Sequence, residues 1–225
     1  MGKRGLRASR ARVEAAVPSG WQAQKSASTR NMIIEAAIRC FVELGYGQTT
    51  TTRIAEMAGL SRGAMLHHFP SKIDIVRAAV EYLHAKRLKA FRNSIGSIPA
   101  DADRVSYAVE SYWRHINHPW FMAFFELSVA ARTDSELRDI LMPAQRAFER
   151  EWDLTAREIF PEWEDPDAFE LALDLTRCLM EGMAMSFMTH DPSERDRRLL
   201  AYLEHKLHEL REQPRGAGPT GGDAA

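Results

Sequence analysis

The sequence predicts an all-α protein. Apolar residues recur at spacings of three and four along nearly the whole chain, no segment sustains a period-two alternation, and helix-capping residues stand between the periodic stretches. At 225 residues the chain is long enough for one large domain or two small ones, and no internal repeat is evident. The net charge of −1 hides a polarity. Residues 1–95 hold 16 Lys and Arg against 6 Asp and Glu, whereas residues 96–225 hold 14 against 25. A basic front and an acidic back point to a polyanion partner for the front half.

Residues 1–27 read as a flexible basic arm, with Pro18-Ser19-Gly20 interrupting any helix and Lys3, Arg4, Arg7, Arg10 and Arg12 supplying charge. A first helix follows over about residues 29–44, with Ile33, Ala37, Phe41 and Leu44 on one face and Gly45 as its left-handed C′ residue. A short second helix spans about residues 51–58, capped by Thr50. Gly59-Leu60-Ser61 makes a tight turn, and a third helix runs to about residue 68 with Ser61 as N-cap. Ser71-Lys72-Ile73-Asp74 is a capping box that opens a long fourth helix, to about residue 93.

The acidic half repeats such signals. Helices are expected over about residues 101–116, then after His118-Pro119, then from a capping box at Thr133-Asp134-Ser135-Glu136 to Phe160. Asp165-Pro166 caps a helix to about residue 188, and Asp191-Pro192-Ser193-Glu194 caps the last, to about residue 212. That makes about nine helices. Residues 214–225, rich in Gly, Pro and Ala, should be disordered.

Several function classes fall away. Cys40 and Cys178 each stand alone in an apolar helical stretch, which argues against a disulfide framework and fits a reducing cytoplasm. The longest apolar stretch, residues 120–131, is broken by Glu126 and is far short of the ~20 residues that span a bilayer, so no membrane partner is expected. The Arg-rich N-terminus lacks the apolar core of a secretory signal, while its composition leaves a transit peptide open. His115 and His118, and His205 and His208, are three apart, but neither pair has a convincing cysteine or carboxylate cluster beside it, so no metal is expected. No Ser/His/Asp order, Walker loop or GxGxxG context appears, which leaves no catalytic residue and no cofactor to name.

The positive signal is the pair of short helices around Gly59. A short helix, a Gly-containing turn and a second short helix make a helix-turn-helix. Ile54, Ala58, Leu60 and Met65 should bury against the first helix, and Ala55 allows close approach. Arg62, Gly63, Leu66 and His67 are left facing outward, and a cation, a donor and a small residue on one face suit insertion into a major groove. Spacing alone leaves open an incidental helical hairpin.

The longer run Gly45-Tyr46-Gly47-Gln48-Thr49-Thr50, then Ile54-Ala55-Glu56-Met57-Ala58-Gly59-Leu60-Ser61-Arg62-Gly63, then His67-His68-Phe69-Pro70-Ser71-Lys72 resembles the N-terminal domain of the tetracycline-repressor (TetR) family. The resemblance covers about residues 28–75 and implies a homodimeric, ligand-responsive transcription regulator on double-stranded DNA. It implies residues 28–75 as the DNA-binding domain and residues 76–213 as the effector-binding and dimerisation domain. By the same resemblance Thr50 and Lys72 would meet phosphates, and Ser61, Arg62, Gly63 and His67 would face the groove. Two departures stand out. Leu66 replaces a common Tyr, leaving a thymine-methyl contact in place of a hydroxyl. Arg53 replaces a common acid, and a cation in a first helical turn opposes the helix dipole by roughly 0.3–1 kcal/mol unless a phosphate lies nearby. Arg53, with Thr52 beside it, therefore joins the expected DNA face.

In the acidic half Trp113, Trp120, Phe121, Phe124, Trp152, Met180 and Met183 suit an apolar effector pocket, although such residues also make ordinary core. Arg177 and Glu181, one turn apart, read either as a surface pair or as a polar anchor within that pocket. The expected effector is mostly apolar or aromatic, not a sugar phosphate or metal ion. Leu171, Leu175, Leu179 and Met183, with Leu199, Leu203, Lys206, Leu207 and Leu210, give two stripes fit for a homodimer through the last two helices, and two-fold symmetry then asks for a roughly palindromic operator. An all-α enzyme and an effector-free DNA-binding protein are the alternatives.

Overall fold

The computed structural model describes residues 19–96, 98, 101–191 and 193–212. Among them are nine helices and no strand: α1 (Ser19–Leu44), α2 (Thr51–Met57), α3 (Arg62–His68), α4 (Lys72–Gly96), α5 (Arg104–Ile116), α6 (Pro119–Ala130), α7 (Ser135–Ile159), α8 (Pro166–Ser186) and α9 (Glu194–Glu212). The all-α fold read from the sequence is the fold observed. Residues 1–18, with the five arm cations, and the expected tail at 214–225 lie outside the described residues.

Local chemistry sets most of the helix ends. At Gly45 (φ +76°) the N–H donates to the Phe41 carbonyl at 3.2 Å, the single-bond left-handed cap. Gly59 (φ +68°) ends α2 in a Schellman motif: its N–H donates to Glu56 and that of Leu60 to Ala55, at 3.0 and 2.9 Å. The expected box at Ser71 forms, with Asp74 accepting the Ser71 N–H and Ser71 Oγ accepting the Asp74 N–H. Three starts differ from expectation. α1 begins at Ser19, so residues 19–27 of the expected flexible arm are helical. α5 begins at Arg104, with Asp103 accepting from Val105 and Ser106. α7 is capped by Asp134, which accepts from Leu137, instead of by Thr133.

α1, α2 and α3 pack as a three-helix unit around Ile33, Ala37, Phe41, Ile54 and Met65. That core does not stop at the unit's edge. Ile75, Val76, Val80 and Leu83 of α4, Ala123 and Leu127 of α6, and Leu137 and Leu141 of α7 belong to the same buried cluster. The division expected at residue 75 therefore runs through continuous apolar packing. A second cluster joins α5, α8, α9 and the start of α6, and a third closes the far ends of α4, α7 and α8. Leu203, Leu207 and Leu210 of α9 are buried in the second cluster, so most of that expected dimer stripe is spent within the chain.

Candidate nucleic-acid interface and effector cavity

Ser61 caps α3 by accepting the Ala64 N–H at 3.2 Å, and Met65 fixes the helix by full burial. Arg62, Gly63, Ala64 and His67 are then exposed along one side, where Ala64 is an outward position that sequence reasoning missed. An added Cβ at Gly63 would meet nothing within 4 Å, so this face is open to close approach. Thr50, Thr52 and Arg53 are exposed beside it, with Thr50 accepting the Arg53 N–H at 3.3 Å.

Three expected contacts are differently placed. Leu66 is half-buried and packs on the domain core, since helical rotation from Met65 turns it partly inward. Arg53 Nη1 donates to the Gln48 carbonyl at 2.8 Å, tying its guanidinium across the turn before α2. Lys72 Nζ donates to the Tyr46 carbonyl at 2.6 Å and lies 3.6 Å over the Tyr46 ring; burial holds its pKa below the ordinary lysine value. Two further cations serve as caps. Arg30 donates to the His68 carbonyl at the end of α3 and Arg39 to the Met57 carbonyl at the end of α2, where positive charge also suits the helix dipole.

The acidic half holds two adjacent cavities divided by Phe91, Tyr112 and Trp152, whose Phe91–Trp152 rings stack at 3.9 Å. The smaller, about 70 Å³, is nearly all apolar apart from Thr176 and Arg177 at its edge. The larger, about 280 Å³, is bounded by Trp120, Phe121 and Trp152 and by Arg87, Ser111 and His115. Trp120, Phe121, Trp152 and Arg177 of the expected pocket thus line one cavity or the other. Trp113 does not: it meets Phe187 edge-on at 5.4 Å in a separate depression beside the start of α9. Met180 and Met183 are buried in the core, and Phe124 packs on His84 and the first cluster.

The interior is also more polar than the sequence suggests. Arg87 is held among the rings of Phe148, Phe121 and Phe124 at 4.2, 5.1 and 5.1 Å, with Glu181 Oε1 4.0 Å from Nη2. Burial lowers the Arg87 pKa and raises that of Glu181. Burial and then the Arg87 charge push the His84 imidazole down to about 4. Arg177 pairs with Asp174 at 2.6 Å and Glu149 at 3.4 Å, which leaves Glu181 facing Arg87 and Tyr112. Arg87 shares a face of α4 with buried Val80, His84 and Phe91, at spacings of four, three and four, a periodicity masked by the charged run Lys86-Arg87-Leu88-Lys89.

Asp103, Glu204 and His208 bring ligand-type atoms within 4.8 Å of one another, a carboxylate grouping at His208 that the sequence did not reveal because Asp103 lies on another element. His208 Nε2 is 2.9 Å from Asp103 Oδ2, and Ser106 Oγ lies between the Asp103 and Glu204 carboxylates with one proton to give to either, so the group fastens α9 to the start of α5.

Residues 33–79 match the bacterial regulatory proteins of the tetR family. The chain is 27% identical over 169 residues to Rv2912c of Mycobacterium tuberculosis, an uncharacterized HTH-type transcriptional regulator, covering 73% of this chain and 85% of that one. It is 31% identical over 120 residues to the HTH-type transcriptional repressor AcnR of Corynebacterium diphtheriae, covering 53% and 59%. The structure of Salmonella enterica GusR shares the fold, with a TM-score of 0.62 and 20% identity over 83% of this chain and 96% of that one.

Proposed function

We propose, from the match of residues 33–79 to the bacterial regulatory proteins of the tetR family, that this chain is a homodimeric repressor released from a roughly palindromic operator by a small, mostly apolar effector. The observation that carries DNA recognition is the side of α3: Arg62, Gly63, Ala64 and His67 stand exposed while Met65 is fully buried. A recognition helix needs that combination of an anchored back and a free front with a guanidinium at its leading edge. Thr50, Thr52, Ser61 and the remaining N–H groups of Arg53 flank that face as phosphate partners. Leu66 adds an apolar edge, and Lys72 acts chiefly by fixing Tyr46.

Residues 28–75 read DNA in this account, and residues 76–213 bind the effector and the second subunit. The dimer face is the outer side of α8, where Leu171, Leu175, Cys178, Gly182 and Met185 follow spacings of four, three, four and three; all are exposed except half-buried Leu175. Tyr202 of α9, 57% exposed, extends it. Such a stripe, with a glycine at its middle, suits close packing against its own two-fold copy. α6 links effector to DNA: its first turn lines the larger cavity and its later residues join the helix-turn-helix core. No described helix is long and apolar enough to cross a membrane.

The test is selection of bound fragments from random duplex DNA, followed by gel shift. A two-fold symmetric consensus bound by two subunits is expected. Enrichment of no sequence above background overturns the reading.

A further inference from the structure

The larger cavity has aromatic walls and an under-satisfied polar edge. Arg87 Nη1 and Ser111 Oγ, from α4 and α5, are both shut off from solvent, and neither has a hydrogen-bond partner among the described residues. Both side chains line this one cavity. The rest of the Arg87 guanidinium lies among aromatic rings and beside the Tyr112 hydroxyl, and its Glu181 neighbour is 4.0 Å away, beyond hydrogen-bond reach. That Glu181 oxygen also accepts from Tyr112 at 3.4 Å, so it compensates the buried cation only in part. Buried cations are retained where an anion and hydrogen-bond acceptors complete them. A guanidinium N–H and a hydroxyl lining one cavity are the donor types that complement a carboxylate, and Trp120, Phe121 and Trp152 of the same lining offer faces for a flat apolar body.

We propose that the effector is an apolar aromatic carboxylate, seated with its ring among the aromatic walls and its carboxylate on Arg87 and Ser111. This rests on the effector-responsive reading above and narrows it from an apolar molecule to an apolar acid. The acid has a reason to prefer the protein over the membrane or bulk solvent: the cavity supplies both halves of its chemistry.

The full-length protein is titrated with 2-naphthoate and its neutral counterpart 2-naphthamide, following tryptophan fluorescence and calorimetry. The expected result is naphthoate binding at least tenfold tighter than naphthamide. Arg87→Met erases that preference by weakening naphthoate alone, and Ser111→Ala lowers naphthoate affinity severalfold. Should circular dichroism show Arg87→Met unfolded, the wild-type preference and Ser111→Ala decide the matter. Equal affinity of the wild type for both compounds, or a preference that survives Arg87→Met or is untouched by Ser111→Ala, overturns the acid while leaving an apolar effector standing. Binding of neither compound, with operator affinity unchanged, overturns both.

Discussion

Glu126 of α6 accepts the backbone N–H of Tyr46 at 2.7 Å, across 80 positions of chain. Tyr46 is the residue after the Gly45 turn that closes α1, and it is gripped on three sides. Lys72 of α4 donates to its carbonyl, and its own hydroxyl donates to Asp134 at the start of α7 at 3.3 Å. Burial and the Asp134 carboxylate push that phenol up to about 12. One turn beside α2 thus holds to α4, to α6 and to the cap of α7.

Glu126→Ala leaves the Tyr46 N–H without its charged acceptor, and a hydrogen bond to a charged group contributes about 1.5–3 kcal/mol. Urea unfolding should show a loss in that range. Effector-driven release from operator should weaken more than operator affinity itself. Gly45→Ala should cost about 1–2 kcal/mol from its positive φ, plus a contact term, since the new Cβ would stand 3.1 Å from Glu126 Oε1. In the Glu126→Ala background the contact part should vanish and the backbone part remain.

His84 should make stability fall in mild acid. Its imidazole titrates near 4 when folded against an ordinary 6.5, so between those values the unfolded chain takes up a proton that the folded chain does not. Stability therefore rises with pH through this window, by up to about 3 kcal/mol from this group. Above pH 6.5 both states are neutral and the contribution is flat. His84→Phe, which keeps a ring against Phe148, should show a shallower slope between pH 4.5 and 6.5; an unchanged slope removes His84 as the cause.

Arg62→Ala and Lys72→Ala should fail differently. Loss of Arg62 should leave unfolding unchanged, cost about 1–3 kcal/mol of operator binding and relax preference at one base pair. Loss of Lys72 should lower unfolding stability and weaken all duplexes alike, because the Tyr46 turn loosens. Identical profiles in paired melting and binding-selection measurements would refute this division.

Met185→Glu with Leu171→Glu places two charges on the outer stripe of α8. Light scattering should show monomer for this variant and dimer for the wild type, with the helical circular dichroism signal kept. Persistence of the dimer moves the interface elsewhere.

Capping was the most legible part of the sequence, because Ser61, Ser71 and Asp165 act on N–H groups two or three residues away. The pair of short helices α2 and α3 is legible for the same reason, its pattern being complete within residues 51–68. The cavity was less so. Arg87 sits in the run Lys86-Arg87-Leu88-Lys89 and looks like another solvated cation until α6, α7 and α8 close around it. The ties that hold Lys72 and Arg53 are not legible, because their carbonyl partners, Tyr46 and Gln48, belong to a turn whose shape periodicity does not encode. The spacing of Leu203, Leu207 and Leu210 makes α9 apolar on one side, but a stripe does not say which chain covers it.

The cluster that joins α1–α3 to Ala123, Leu127, Leu137 and Leu141 also limits how this protein can be rebuilt. A chimera cut at residue 75, to give α1–α3 a different C-terminal half, would separate Phe41 and Ile75 from the α4, α6 and α7 side chains they are buried with. The transplantable unit is discontinuous: it comprises α1 through the first half of α4 together with α6 and the first turns of α7. On the proposed function, retargeting is better done by exchanging side chains on the outer face of α3, and retuning by exchanging those around Arg87, with the shared packing left in place.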